Sequence, residues 1–311
     1  LTRPSTWVLS EAYAGLQAQA LGLAEAAGLT PAMRVLTPRA PWRFLPAARW
    51  PAPLRVMREA IQPPLPELIV GCGGVAAAVG AALRRPGLAV VQVQNPRLDP
   101  RRFDMIVANR HDELTGPNVV VTRTALHRAT PARLAQAAEA WRERLADLPR
   151  PLVSVLVGGS NGRFRLDAPV ATALAAQLAE MMQRDGVGVA LTPSRRTDPA
   201  AIRALSAALE PLGGWVWNGE GDNPYFGLLA LADAVVVTMD SVSMVSEAAA
   251  TSAPVLVAPL PGKSRRIGLF LDGLLEDGRI RPFTGRLETW SAEPLDDTPV
   301  AAAEMRRRLG F

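Results

Sequence analysis

Residues 234–261, AVVVTMDSVSMVSEAAATSAPVLVAPLP, decide the reading of the fold. The apolar run 234–237 suits a strand buried on both faces. A polar turn follows and ends at Ser241, a good helix N-cap, with Ser243 and Ser246 in the first turns beyond it. Glu247 falls inside that helix, and residues 255–257 form the next strand. Hydroxyls and backbone N–H groups at a helix start favour an anion, most often phosphate. A carboxylate just beyond can accept hydrogen bonds from ribose hydroxyls. The segment therefore reads as a nucleotide site at the carboxyl ends of parallel strands.

The same alternation extends both ways. In the first half, strands are expected at 7–9, 33–36, 68–70, 89–93, 105–107 and 119–121, with helices at 16–27, 75–84 and 132–148. Pro149-Arg150-Pro151 punctuates the chain. Further strands follow at 152–157, 187–192, 215–217, 234–237 and 255–257, with helices near 169–184, 199–209, 225–231, 242–250 and 265–275. Alternating strands and helices imply parallel sheets with right-handed crossovers. The expectation is an α/β protein of two Rossmann-like, doubly wound domains facing a central cleft. The domains would be 1–149 and, for the nucleotide, 150–285, with 286–311 as a closing segment.

Composition narrows the class. The 311 residues suit two domains, and 49% hydrophobic with 20% charged residues suits a folded globular protein. No apolar run approaches the ~20 residues that span a bilayer, and the start of the chain has no signal-peptide core. The expected location is cytoplasmic, with peripheral contact on the inner membrane face as an extension. Cys72 is the single cysteine, which excludes an internal disulfide and cysteine-based zinc sites. The formal net charge is +5, and Lys263 is the only lysine. Arginine forks suit phosphate and carboxylate, though a GC-rich genome also favours arginine and alanine.

Several loops carry candidate chemistry. Gly158-Gly159-Ser160-Asn161-Gly162 follows the first strand of the second half, where close backbone approach and successive N–H groups can cradle phosphate. It is neither GxGxxG nor a Walker loop, so the alternative is a tight strand-to-helix turn. Ser194-Arg195-Arg196-Thr197 follows the next strand and offers a phosphate clamp, against the plainer reading of a solvated basic loop. Asn223-Pro224-Tyr225 is an N-cap followed by proline, with room for a base-binding backbone. Asp240, Ser241, Ser243, Met244 and Glu247 complete the nucleotide set. Lys263 and Arg266 are candidates for phosphate or acceptor, as are Gln94 and Asn95 in the first half. His111 and Asp112 are candidate general bases, each against the reading of an ordinary loop residue. Two distant histidines do not make a metal site, and no G-x-S-x-G elbow is present.

Residues 39–58, RAPWRFLPAARWPAPLRVMR, interleave Trp42, Phe44 and Trp50 with Arg39, Arg43, Arg49, Arg55 and Arg58. Such a mixture suits an anionic membrane surface. The plainer reading is a long loop that packs its aromatics on the sheet. Nucleic acid is not expected as a partner.

GGSNGRF, SRRT, GDNPYFGLLALADAVVVTMDSVSMVSEA and PVLVAPLPGKSRR resemble the plant mitochondrial-fission "elongated mitochondria" family and its bacterial relatives, as do GCGG, VQVQNPRLDPRRFDMIVANRHDELTGPNVV and ALHRATP. The resemblance spans about residues 7–283 and implies a GT-B glycosyltransferase-like fold. It further implies a nucleotide-diphosphate sugar held by the second domain, no metal or other cofactor, and Glu247 on the ribose. A last helix, 300–309, would return to the first domain. Where relatives carry Asp-Gly-Lys-Ala-Gly, this chain has Glu11-Ala12-Tyr13-Ala14-Gly15. The activity implied is metal-independent sugar transfer to a cell-envelope lipid or polysaccharide. The alternative is a non-catalytic adaptor or nucleotide-binding protein on the same scaffold.

Overall fold

The computed structural model describes residues 3–311. Contacts divide the chain into two compact units. One holds the described residues up to Arg128 together with Asp296–Phe311, and the other holds Ala129–Leu295.

In the first unit, six strands form one parallel sheet: β1 (Thr6–Ser10), β2 (Ala32–Val35), β3 (Leu68–Cys72), β4 (Ala89–Val93), β5 (Met105–Asn109) and β6 (Val119–Thr122). Their order is β2-β1-β3-β4-β5-β6. The order reverses between β1 and β3, which makes that pair the switch point of the sheet. Helices α1 (Ala14–Ala26) and α2 (Gly74–Leu83) follow these two strands. Ala76, Ala77, Ala78 and Gly80 of α2 are buried, so the helix lies close on the sheet.

The second unit contains α3 (Pro131–Arg142) and a parallel sheet of β7 (Leu152–Val157), β8 (Gly188–Pro193), β9 (Trp215–Val216), β10 (Ala234–Thr238), β11 (Val255–Ala258) and β12 (Ile280–Pro282). The order is β12-β11-β10-β7-β8-β9. Numbered from the first strand of the unit, this is the 3-2-1-4-5-6 order of dinucleotide-binding domains, with the switch point between β7 and β10. Every residue of β7, β8 and β10 is buried, because helices cover both faces. Those helices are α4 (Ala168–Asp185), α5 (Pro199–Leu209), α6 (Tyr225–Leu231), α7 (Val242–Ala249) and α8 (Arg265–Glu276).

The division of the chain differs from the expected break at Pro149. Helix α3, expected to close the first domain, belongs to the second. Trp141 and Leu145 pack with Leu152, Leu228 and Leu231 in the second unit. A Cβ on Gly227 of α6 would collide with the Trp141 ring, so that glycine makes room for it. Pro149 lies beyond the end of the helix, and the apolar face of the helix decides its unit. Helix α9 (Thr298–Leu309) packs in the first unit, where Ala301, Ala302 and Met305 join Ala20, Leu23 and Ala24 of α1. No helix among the described residues is long and apolar enough to cross a membrane.

Candidate nucleotide site

The switch point of the second sheet brings three loops together. The Gly158–Gly159 turn leaves β7, the Ser194–Thr197 turn leaves β8, and the Asp240–Ser241 turn leaves β10. Thr238 Oγ1 accepts from Gly158 N–H (2.8 Å) and donates to Asp240 Oδ1 (2.7 Å). Asp240 Oδ2 accepts from Gly159 N–H (3.1 Å) and from the Arg196 guanidinium (2.8 Å). Arg196 also donates to Gly159 O (3.0 Å), and Thr197 Oγ1 donates to Gly158 O. A Cβ on Gly158 would fall 2.2 Å from Asp240 Oδ1, so only glycine lets the carboxylate tuck beneath the turn.

This geometry corrects the expected role of Asp240. Its side chain is fully buried and its oxygens accept from three donors, so it braces the loops and does not meet a ligand directly. The two adjacent arginines have separate jobs. Arg196 is the brace, while Arg195 is exposed with no hydrogen bond or ion pair among the described residues. No sequence signal distinguished the two.

The other second-unit candidates sit on the same carboxyl edge. Ser160 is exposed; its hydroxyl accepts from Leu166 N–H (2.8 Å) and keeps its own proton to donate. Asn161 Oδ1 accepts from the N–H groups of Arg163 (2.8 Å) and Phe164 (2.9 Å), which shapes the loop. Ser194 Oγ accepts from Arg196 N–H (3.2 Å) in a similar local turn. Ser241 caps α7 by accepting from Met244 N–H (3.3 Å), and Ser243 and Met244 are half-buried in its first turn. Asn223 Oδ1 accepts from Tyr225 N–H (3.0 Å) at the start of α6. The loop after β11 zips onto the loop after β7, since Lys263 N–H donates to Arg163 O (3.2 Å) and Arg165 N–H to Pro261 O (2.9 Å). Lys263 and Arg266 are both exposed at that edge, as is Arg163, which sequence reading passed over.

Glu247 points from α7 to Tyr225, whose hydroxyl donates to Oε2. Burial pushes the Glu247 carboxyl up to about 7, against the lowering effects of the Tyr225 hydroxyl and the Arg133 charge. Burial also raises the Tyr225 phenol, with the Glu247 charge and hydrogen bond adding to it. Arg133 comes from α3, where it lies over the Phe226 ring at 5.2 Å. Oε1 of Glu247 makes no hydrogen bond among the described residues, so one carboxylate oxygen remains for a ligand hydroxyl. Behind α7, buried Arg279 donates to the carbonyls of Ala249 (2.9 Å), Thr251 (2.6 Å) and Ala253 (3.1 Å), which caps the helix C-terminus and sets its position.

The first-unit candidates fare differently. His111 Nε2 lies 3.9 Å from Asp112 Oδ1, and their side chains are only 1% and 5% exposed. Both side chains are nearly enclosed, so neither stands open to solvent as a base in this unit. Gln94 is held at φ 71 and donates to Gln19 Oε1 (3.2 Å), and Asn95 Oδ1 accepts from Arg97 N–H (2.9 Å). At the switch point itself stands Glu11, after β1. Its carboxylate makes no hydrogen bond or ion pair among the described residues, and burial raises it above the usual carboxylate range. A cavity of about 780 Å³ in this unit, lined by Glu67, Arg84, Leu88 and Asp104, lies at the amino ends of β3 and β4. That is the edge opposite the one where open α/β sheets hold ligands.

The fold is α/β, of the GT-B glycosyltransferase-like class. Solved structures agree on the fold. UDP-GlcNAc 2-epimerase from Neisseria meningitidis bound to UDP-GlcNAc matches with a TM-score of 0.50 and 12% identity, covering 98% of each chain. Medicago truncatula UGT71G1 complexed with UDP-glucose matches with a TM-score of 0.51 and 11% identity, covering 97% of this chain and 93% of that one. The chain belongs to the Mitochondrial fission ELM1 family, whose model matches residues 14–309. Mitochondrial fission protein ELM1 of Arabidopsis thaliana is 34% identical over 289 residues, covering 82% of this chain and 67% of that protein. The uncharacterized protein RP120 of Rickettsia prowazekii (strain Madrid E) is 24% identical, covering 95% of this chain and 96% of that protein.

Proposed function

We propose that the protein binds a nucleotide-diphosphate sugar on its second unit and transfers the sugar to an acceptor hydroxyl. The observation that carries this reading is the braced convergence of the loops after β7, β8 and β10 beside the start of α7. The diphosphate lies against the backbone of the Gly159–Ser160 turn, the Ser160 hydroxyl and the α7 N-terminus. Arg195 and Lys263 supply positive charge, and Glu247 Oε1 accepts from the ribose. In the reaction, the bond from the anomeric carbon to the diphosphate oxygen breaks as the acceptor oxygen bonds to that carbon. The leaving diphosphate takes the electron pair, and helix dipole and cations stabilise it. The acceptor hydroxyl gives up its proton to solvent as its bond to the anomeric carbon forms, so charge and atoms balance. The UDP-GlcNAc and UDP-glucose bound in the two neighbours support a uridine nucleotide as the first donor to try.

Thermal unfolding with UDP, GDP and CMP tests the binding step. A ligand at 100 times its dissociation constant adds about 2.7 kcal/mol of stability. The expected result is an upward shift with one of them that Glu247→Ala weakens at least about tenfold in affinity. No shift with any of the three would overturn the reading.

A further inference from the structure

The basic-aromatic segment has a built form. Residues 37–58 leave the edge strand β2 and close on themselves at their base, where Pro38 bridges Met57, Arg39 N–H donates to Val56 O (2.8 Å) and Arg58 N–H donates to Thr37 O (2.9 Å). Trp50, Val56 and Met57 are buried in one cluster with Val75 and Val79 of α2. The loop is therefore anchored from within, and its tip is presented in a fixed form.

That tip is apolar and cationic at once. Phe44 is 72% exposed and Leu45 is 49% exposed, which is far from the fate of most large apolar side chains in a folded unit. Arg39, Arg43, Arg49, Arg55 and Arg58 are all exposed around them, with no ion pair to any carboxylate among the described residues. The chain has no Asp or Glu between Glu25 and Glu59, and Glu59 is engaged at the loop base by Thr37 N–H (3.3 Å). The Arg43 guanidinium lies over the Phe44 ring at 4.6 Å.

We infer that this tip docks on an anionic lipid bilayer, with Phe44 and Leu45 entering the acyl boundary and the arginine forks on lipid phosphates. An amphipathic element with apolar residues flanked by cations binds in this way, through buried area plus attraction to anionic headgroups. Single-stranded nucleic acid fits less well. Successive bases need several aromatic platforms. Here Trp50 is buried and Trp42 half-buried, which leaves Phe44 as the single open ring. The inference uses only the first unit and does not depend on nucleotide binding by the second.

Flotation of the full chain with phosphatidylcholine–phosphatidylglycerol vesicles, against phosphatidylcholine alone, gives the first readout. Recovery is expected with the anionic vesicles only and is expected to fall as salt rises. The triple change Arg39→Gln, Arg43→Gln, Arg49→Gln should lower partitioning at least about tenfold. A second readout places a polarity-sensitive fluorophore on Phe44→Cys, which is selective because Cys72 is buried. Its emission should shift to the blue on anionic vesicles. Equal recovery of the triple variant, or unshifted emission at Phe44→Cys, would overturn the inference. So would displacement of the vesicles by a single-stranded oligonucleotide, which would assign the surface to nucleic acid.

Discussion

The Arg196 guanidinium lies 2.8 Å from the Asp240 carboxylate and joins the loop after β8 to the loop after β10. The Asp240 side chain is fully buried, whereas that of Arg196 is 44% exposed. Removing the arginine would therefore strand a buried carboxylate. Breaking a buried pair costs about 3–5 kcal/mol, and exposure of the arginine reduces that figure. Arg196→Ala is expected to destabilise the second unit by about 1–3 kcal/mol, while Arg195→Ala should change it by less than about 0.5 kcal/mol. Scanning calorimetry of the two variants checks this; equal shifts would remove the bracing role.

Gly159 predicts a second loss. A Cβ there would meet the Arg196 carbonyl oxygen, and backbone cannot step aside as a flexible side chain can. Gly159→Ala is expected to cost about 1–3 kcal/mol by overpacking and to weaken nucleotide binding by displacing the turn. Gly162→Ala, with nothing within 4 Å of the added Cβ, should leave both unchanged. Titration calorimetry with the nucleotide that raises the melting temperature compares them. Full affinity in Gly159→Ala would show that the turn does not contact the ligand.

Glu247 predicts a pH dependence with a definite sign. Its carboxyl rises from 4.5 in the unfolded chain to about 7 in the folded protein, chiefly through burial. Between those values the folded state holds a proton that the unfolded state has released. Stability is therefore fully present below 4.5 and declines as pH rises through 7, by an amount on the order of 3 kcal/mol. Glu247→Gln should flatten that decline. Nucleotide affinity should run the other way, because an ionised carboxylate is the better acceptor for a ribose hydroxyl. It should increase as pH rises through 7, and the glutamine variant should lose that increase. Parallel melts and titrations across this range test both; an unchanged slope in the variant would assign the titration elsewhere.

How much of this was legible beforehand depends on the scale of the interaction. The strands of both sheets were readable because runs such as 234–237 are apolar throughout, which is the mark of burial on both faces. The loops of the second unit were readable because they follow those strands, and parallel topology sends them to one edge. The limit of the second unit was not readable, because Pro149 is a local signal whereas the packing of Trp141 against Gly227 is a long-range one. The roles of Arg195 and Arg196 could not be separated, since which guanidinium turns inward depends on a carboxylate 44 residues away. His111 and Asp112 were plausible bases by residue type alone, and their burial was not legible in the loop sequence. Arg279 had no local signal, because the carbonyls it caps are brought to it by the fold.

His127 carries the opposite pH sign in the first unit. Its ring is buried, with Nε2 3.3 Å from Asp296 Oδ1. Burial lowers its pKa below 6.5, and the charges of Asp296 and Asp297 offset that only in part. Below 6.5 the unfolded chain takes up a proton that the folded protein resists. The stability contribution is thus present above 6.5 and is lost as pH falls through the folded value. His127→Gln keeps a hydrogen-bonding side chain in the pocket but does not titrate, so its melting should lack this loss on the acid side. The wild-type protein should then show two transitions of opposite slope, with the first unit weakening toward acid and the second toward base. Calorimetry of wild type, His127→Gln and Glu247→Gln separates them, because each substitution should flatten one slope and spare the other. A His127→Gln protein that still loses stability on acidification as steeply as wild type would assign the acid loss to groups other than this imidazole.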